Sequence, residues 1–168
     1  MMQCYLLLGV STGMRTMTAT AVLCWFAWLG ISPQSGWTFW AGSIISVIVF
    51  TVCALGEYYG DTLPTTPSRK SLPLVVARLA FATLVGSLAA RGIGQPLAGG
   101  ILFALAGALI GIYGGYRLRM WAAGLFGRDL PAALSESALA LALAVFSAWK
   151  LHHNQLVDTT LLHFPRFF

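Results

Sequence analysis

The sequence is poor in charge. Only 9% of its 168 residues are Asp, Glu, Lys or Arg, and just 5 are acidic, whereas a soluble domain carries about 25% charged residues. So few charges cannot cover the surface of a water-soluble fold of this length, which leaves the bilayer as the better solvent. A clustered basic face on a polar domain is also missing, and with it the usual means of gripping nucleic acid. Cys4, Cys24 and Cys53 are odd in number, sit in apolar segments and have no metal-ligand spacing, so they read as small buried hydrophobes. His152, His153 and His163 have no cysteine or carboxylate cluster beside them, and no metal site is expected. The chain has no nucleophile–base arrangement, no Gly-rich phosphate loop after a strand and no zinc-protease helix, so neither an enzyme nor a cofactor is expected. The start has no basic region and no small-residue cleavage pattern, and it reads as part of a first span instead of a signal peptide.

What is present is apolar: 58% of residues are hydrophobic. Residues 37–55 and 97–116 carry no charge, and a helix needs about 20 mainly apolar residues to cross the hydrocarbon core. The apolar blocks are continuous, without the alternation of a transmembrane barrel. The expected fold is therefore an all-α, polytopic transmembrane helix bundle in one domain, residues 1–168. About five spans are predicted, at residues 3–29, 37–58, 72–90, 97–116 and 132–149, followed by a short amphipathic tail over 151–168 to which no element is assigned. Arg15 interrupts the first span, which is either one tilted helix or two half-helices meeting near Gly13. Pro33 and Gly36 mark a turn, and Trp25, Trp28, Trp37 and Trp40 flank it as an interfacial belt. Five spans place the two ends on opposite sides, and the basic loops favour a cytoplasmic N-terminus.

An internal repeat is suggested when the chain is slid on itself so that Gly9 falls on Gly111. Leu7, Gly13, Arg15 and Ala21 then fall on Leu109, Gly115, Arg117 and Ala123. Both segments read G-x-x-x-G-x-R, and an arginine inside an apolar run is rare. Glu57 in Ala-Leu-Gly-Glu and Glu136 in Ala-Leu-Ser-Glu add one acid to each half, over about residues 3–71 and 97–150. In a five-span protein the first and fourth spans cross in opposite directions, so the repeat is expected to be inverted. Inverted repeats are a common plan for secondary transporters, with the site at the repeat interface.

Arg15, Glu57, Arg117 and Glu136 are thus the candidate lining of an ion or solute pathway; the alternatives are buried salt bridges that fix helix register or side chains that snorkel. Asp61 joins them, four residues after Glu57, on the same face of a continuing helix. Thr65, Thr66, Ser68, Arg69 and Lys70 offer hydroxyls and cations before a helix start, chemistry that suits an anionic lipid headgroup or phosphate. Gly107, Gly111 and Gly115 line one helix face and predict a tight helix contact, within the chain or in a homodimer.

Gly13-Met14-Arg15 before a Thr/Ala-rich helix, the Asp-x-Leu-Pro-x-Thr-Pro-Ser-Arg core at residues 61–69, Ala77-Arg78 and Gly114-Gly115-Tyr116 form one pattern. It resembles the bacterial membrane family catalogued as domain of unknown function four-one-two-six, over about residues 9–147. The resemblance implies a multi-pass protein of the bacterial inner membrane and carries no activity. That family's pattern has a second acid after the glutamate matching Glu136, where this chain has Ser137. A transporter or channel-like protein is the leading expectation. A non-transporting protein that binds lipid headgroups or a partner through residues 62–70 is the second.

Overall fold

The computed structural model describes residues 1–60, 72–126 and 129–162. Among them the chain forms seven helices and no strand. Helix α1 is Met2–Met14, α2 Thr18–Trp28, α3 Ile44–Gly60, α4 Leu72–Gly92, α5 Leu97–Phe126 and α6 Asp129–Leu162, and a 3-10 segment, Gly36–Gly42, precedes α3. Glycine supplies the punctuation. Gly30, Gly36 and Gly94 have φ of 73°, 67° and 68°, a region that costs a side-chain-bearing residue about 1 kcal/mol or more. Gly94 closes α4: its amide donates to Arg91 O (3.1 Å), and Gln95 N reaches back to Ala90 O (2.9 Å). Pro96 then bars any continuation.

Inter-helix contacts fix the directions. Across α2 and α3, Trp25 Nε1 donates to Thr51 Oγ1 (3.1 Å) while Thr18 Oγ1 shares a hydrogen bond with Tyr58 OH (2.8 Å), an antiparallel register. Across α4 and α5, Gly86 and Gly100 meet backbone to backbone, and a methyl on either would fall on the other's carbonyl oxygen. Ser11 Oγ donates to Ala140 O (2.7 Å) and Arg15 Nη2 to Ala133 O (3.1 Å), so α1 runs opposite to α6. On α5, Gly107 lies against Leu6, Gly111 against Val10 and Gly115 against Met14. Both numbers rise together, so α1 and α5 run in the same direction. At the far end of the bundle, Leu23 and Phe26 of α2 share a hollow with Ala89 and Ile93 of α4 and with Ala148 and Leu151 of α6.

Two expectations are corrected by this register. The first span is not one helix but a hairpin: α1 descends along α6 to Arg15, and α2 climbs back. Their 13 and 11 residues, at about 1.5 Å each, reach only about 20 and 17 Å, short of the roughly 30 Å hydrocarbon core. Three helices are long and apolar enough to cross, at 21, 26 and 26 residues, and the 3-10 segment with α3, bent by 67°, makes up to four. Among the described residues, three to four helices qualify as spans where about five were expected. The hairpin also adds one reversal of direction, which turns the expected antiparallel relation of the two G-x-x-x-G-x-R segments into a parallel one. An inverted repeat built on these two segments is excluded by that geometry.

A further correction concerns the tail: α6 continues through Leu162, because no proline or glycine interrupts it after Pro131. The bundle's outer face is apolar, with Ile45 and Val52 of α3, Leu102 of α5 and Phe146 and Trp149 of α6 turned outward. A contiguous apolar exterior of this kind belongs in lipid, and together with the three long apolar helices it identifies a membrane protein.

Candidate functional site

The candidate site is the tip of the α1–α2 hairpin. Helix α1 stops at Met14 because Arg15 is extended (φ −139°, ψ 110°), and α2 begins at Thr18. A helix break strands carbonyls at the end of one helix and amides at the start of the next. Inside a bundle no bulk water replaces the lost partners, and each unpaired group is costly. Side chains from two other helices, and a backbone carbonyl of a third, meet this break.

Glu57 of α3 meets the start of α2. Its Oε1 accepts from Thr16 N (2.8 Å) and its Oε2 from Met17 N (3.0 Å). One oxygen per amide completes the cap, and the negative charge sits at the positive end of the α2 dipole. Arg78 of α4 meets the end of α1, donating from Nη1 to Gly13 O (2.9 Å). Its charge sits at the negative end of that dipole. Arg15 lies between them with 0% of its surface exposed. It donates to Ala133 O of α6, and its guanidinium carbon stands 5.4 Å from the centre of the Tyr58 ring, within cation–π range. The Tyr58 hydroxyl is fixed in turn by Thr18.

The seam between α1 and α5 holds this tip in place. Added methyls at Gly9, Gly13, Gly107 and Gly111 would all strike backbone of the facing helix. The two G-x-x-x-G patterns therefore face each other, and the recurrence in the sequence has a packing cause. Gly115 sits between Met14 and Glu136, whose Oε1 would lie 3.3 Å from a methyl there. Gly107, Gly111 and Gly115 are thus used inside the chain, and a homodimer would need another face.

Of the expected pathway residues, Arg15 and Glu57 are brought together at the tip. Glu136, 2% exposed, lies on α6 one turn beyond Ala133, the residue that receives Arg15. Arg117 is not brought in: it faces outward on α5 beside Tyr113 and Tyr116, because α5 continues through that position without a break. The second buried arginine is Arg78, 4% exposed. Its signal in the sequence is a lone charge almost two turns inside an apolar helix. Asp61, Thr65, Thr66, Ser68, Arg69 and Lys70 lie outside the described residues.

Two hollows flank the region. One of about 180 Å³ lies between α2, α3 and α6 and is lined by Thr18, Trp25, Thr51, Tyr58 and Leu141 among others. The other, about 310 Å³, lies between α5 and α6 and includes Arg119, Ser135 and Glu136. Neither is lined by Arg15 or Glu57. Among the described residues, no group of three or more His, Cys, Asp or Glu could hold a metal ion. The chain matches no family model, no curated protein and no solved structure.

Proposed function

We propose that the chain is a small membrane transporter or channel-like protein that passes an ion or small polar solute at the tip of the α1–α2 hairpin. The observation that carries this reading is a buried helix break with charged side chains on both of its ends, Glu57 on the α2 amides and Arg78 on the α1 carbonyl. Neutral caps such as Ser or Asn could close a purely structural break. Charged groups enclosed in a bundle are costly even when paired, and ionisable residues inside a membrane protein commonly mark pathways and relays. Half-helix ends that face each other inside a bundle are also a recurrent way of holding an ion or polar solute. The resemblance to the bacterial family adds no activity to this reading. The pathway belongs to the hairpin, not to an interface between inverted halves.

The orientation that fits is tip-end inward. In the sequence, Arg69, Lys70 and Arg128 fall between α3 and α4 or between α5 and α6, with Arg119 shortly before the second connection, against Arg91, Lys150 and Arg166 elsewhere, and basic loops favour the cytoplasm. The start of α1 then faces outward, the reverse of what five spans implied.

The test is flux into proteoliposomes, with a panel of monovalent cations, small anions and protons. Glu57→Gln and Arg78→Gln are expected to change the flux of the conducted species by about tenfold or more, the rate equivalent of one charge-assisted hydrogen bond. Arg117→Ala should leave it unchanged. Wild-type liposomes that pass none of the panel, or tip variants indistinguishable from wild type, would sink the reading.

A further inference from the structure

The hollow between α5 and α6 plays no part in the hairpin tip. It is about 310 Å³ and is lined by Leu118, Arg119, Trp121, Ala122, Ala132, Ser135, Glu136 and Leu139, a size at the lower end of ordinary small-ligand sites. Its walls are mainly apolar, and among the described residues its lining includes one acid, Glu136, and one base, Arg119. Glu136, at 2% exposure, belongs to the inner wall, while Trp121, at 65%, belongs to the rim. Residues 118–122 stand about 32–38 Å along α5 from its start at Leu97, at 1.5 Å per residue, beyond the roughly 30 Å of a hydrocarbon core. The hollow therefore lies where both helices leave the hydrocarbon, at the depth of the lipid headgroups, and Trp121 is the residue type enriched at that depth. It opens sideways, past outward-facing Leu118 and Leu139, toward lipid.

We propose that this hollow binds the phosphoethanolamine headgroup of a membrane lipid, with the phosphate toward Arg119 and the ammonium toward Glu136. A ligand of one charge would meet repulsion from one of the two side chains, whereas a zwitterion satisfies both. Existing partners do not block this, because a guanidinium carries five N–H donors and a carboxylate accepts about four hydrogen bonds. Arg takes phosphate oxygens in a planar fork, and a primary ammonium donates to the carboxylate through N–H groups that a choline headgroup lacks. The Ser135 hydroxyl, which donates to Ala132 O (2.9 Å), leaves its lone pairs for a further donor. The acyl chains would run along the outward apolar faces of α5 and α6.

The experiment is native mass spectrometry of the whole protein, purified in detergent and offered dioleoyl phosphatidylethanolamine, phosphatidylcholine or phosphatidylglycerol at equal concentration. Phosphatidylethanolamine adducts should exceed either of the others by about tenfold, the affinity equivalent of one charge-assisted hydrogen bond. Arg119→Gln and Ser135→Phe, both away from the buried core, should fold and abolish that preference, the second by filling the space while leaving both charges. Glu136→Gln should do the same where it folds. Equal retention of phosphatidylethanolamine and phosphatidylcholine by the wild type would overturn the proposal, as would a preference that survives both Arg119→Gln and Ser135→Phe. Displacement of the lipid by an equal concentration of free phosphoethanolamine would overturn the lipid assignment in favour of a soluble zwitterion.

Discussion

Arg15 and Arg117 end the same local pattern, G-x-x-x-G-x-R, and meet opposite fates. Arg15 is wholly enclosed, with its guanidinium against Ala133 O and the Tyr58 ring. Arg117 faces outward from an uninterrupted helix. The glycines explain the likeness and the chain's course explains the difference. Gly9, Gly13 and Gly111 are there because α1 and α5 press their backbones together, whereas Gly115 makes room for the side chains of Met14 and Glu136. The fate of the arginine beyond each pair depends on whether the helix stops. At Arg15 the backbone turns extended, and the exposed helix ends draw in Glu57 and Arg78. At Arg117 the backbone stays helical, so no helix end is left there to draw in a charge.

The largest effect should come from the seam the two segments share. Gly111→Leu places a side chain on the backbone of Val10 and Gly13, where nothing flexible can give way. Overpacking costs about 1–3 kcal/mol even where side chains can adjust. The variant is expected to lose its monodisperse peak on size-exclusion chromatography in detergent. Gly114→Leu, close by in the same helix but with open space at its Cβ position, should behave as wild type. Equal behaviour of the two would mean that the α1–α5 contact does not hold the bundle together.

An intermediate effect separates the two arginines. Arg15→Met should destabilise by about 3 kcal/mol, because it removes a buried charge from its partners, and should lower the thermal midpoint in detergent by many degrees. Arg117→Met should leave the midpoint where it is. A matching loss in both variants would restore the symmetry that the buried and outward placements deny.

The smallest effect lies in the cap itself. Glu57→Gln keeps the shape, but its single amide oxygen can accept from only one of Thr16 N and Met17 N, a loss of about 1–2 kcal/mol. Amide hydrogen exchange resolved to the tip should rise at those two positions and stay unchanged along α5. Tyr58→Phe, which removes only the hydroxyl shared with Thr18, should cost about 1 kcal/mol. Exchange rates that do not move in Glu57→Gln would show that the carboxylate is incidental to the break.

Helix existence is legible in this sequence, and direction is not. The start of α5 at Leu97 falls at the predicted position, because Pro96 with Gly94 leaves the backbone little choice. The hairpin is readable only as an ambiguity at Gly13. Hydropathy counts apolar residues, and two short apolar helices of opposite direction have the same sum as one long helix. A sharper signal is the run of hydroxyls, Ser11, Thr12, Thr16, Thr18 and Thr20, around a single arginine, which is more polar than a simple crossing needs. The glycine row is readable as a packing face but not its partner, because two like faces also describe a symmetric dimer. Arg78 carries a partial signal, a lone charge almost two turns inside an apolar helix, but a long cation at that distance from a helix start can also reach the interface. Only the location of Gly13 O, contributed by another helix, reveals why it stays inside.

The alternation of directions bears on how this protein can be probed. Cys4 and Tyr5 near the start of α1 share a core with Ala89 and Ala90 late in α4 and with Leu151 late in α6. The start of α1 and the later part of α6 therefore lie at one end of the bundle, the end away from Arg15. A reporter fused ahead of α1 and another fused behind α6 should answer from the same compartment, so one reagent that cannot cross the bilayer should reach both or neither.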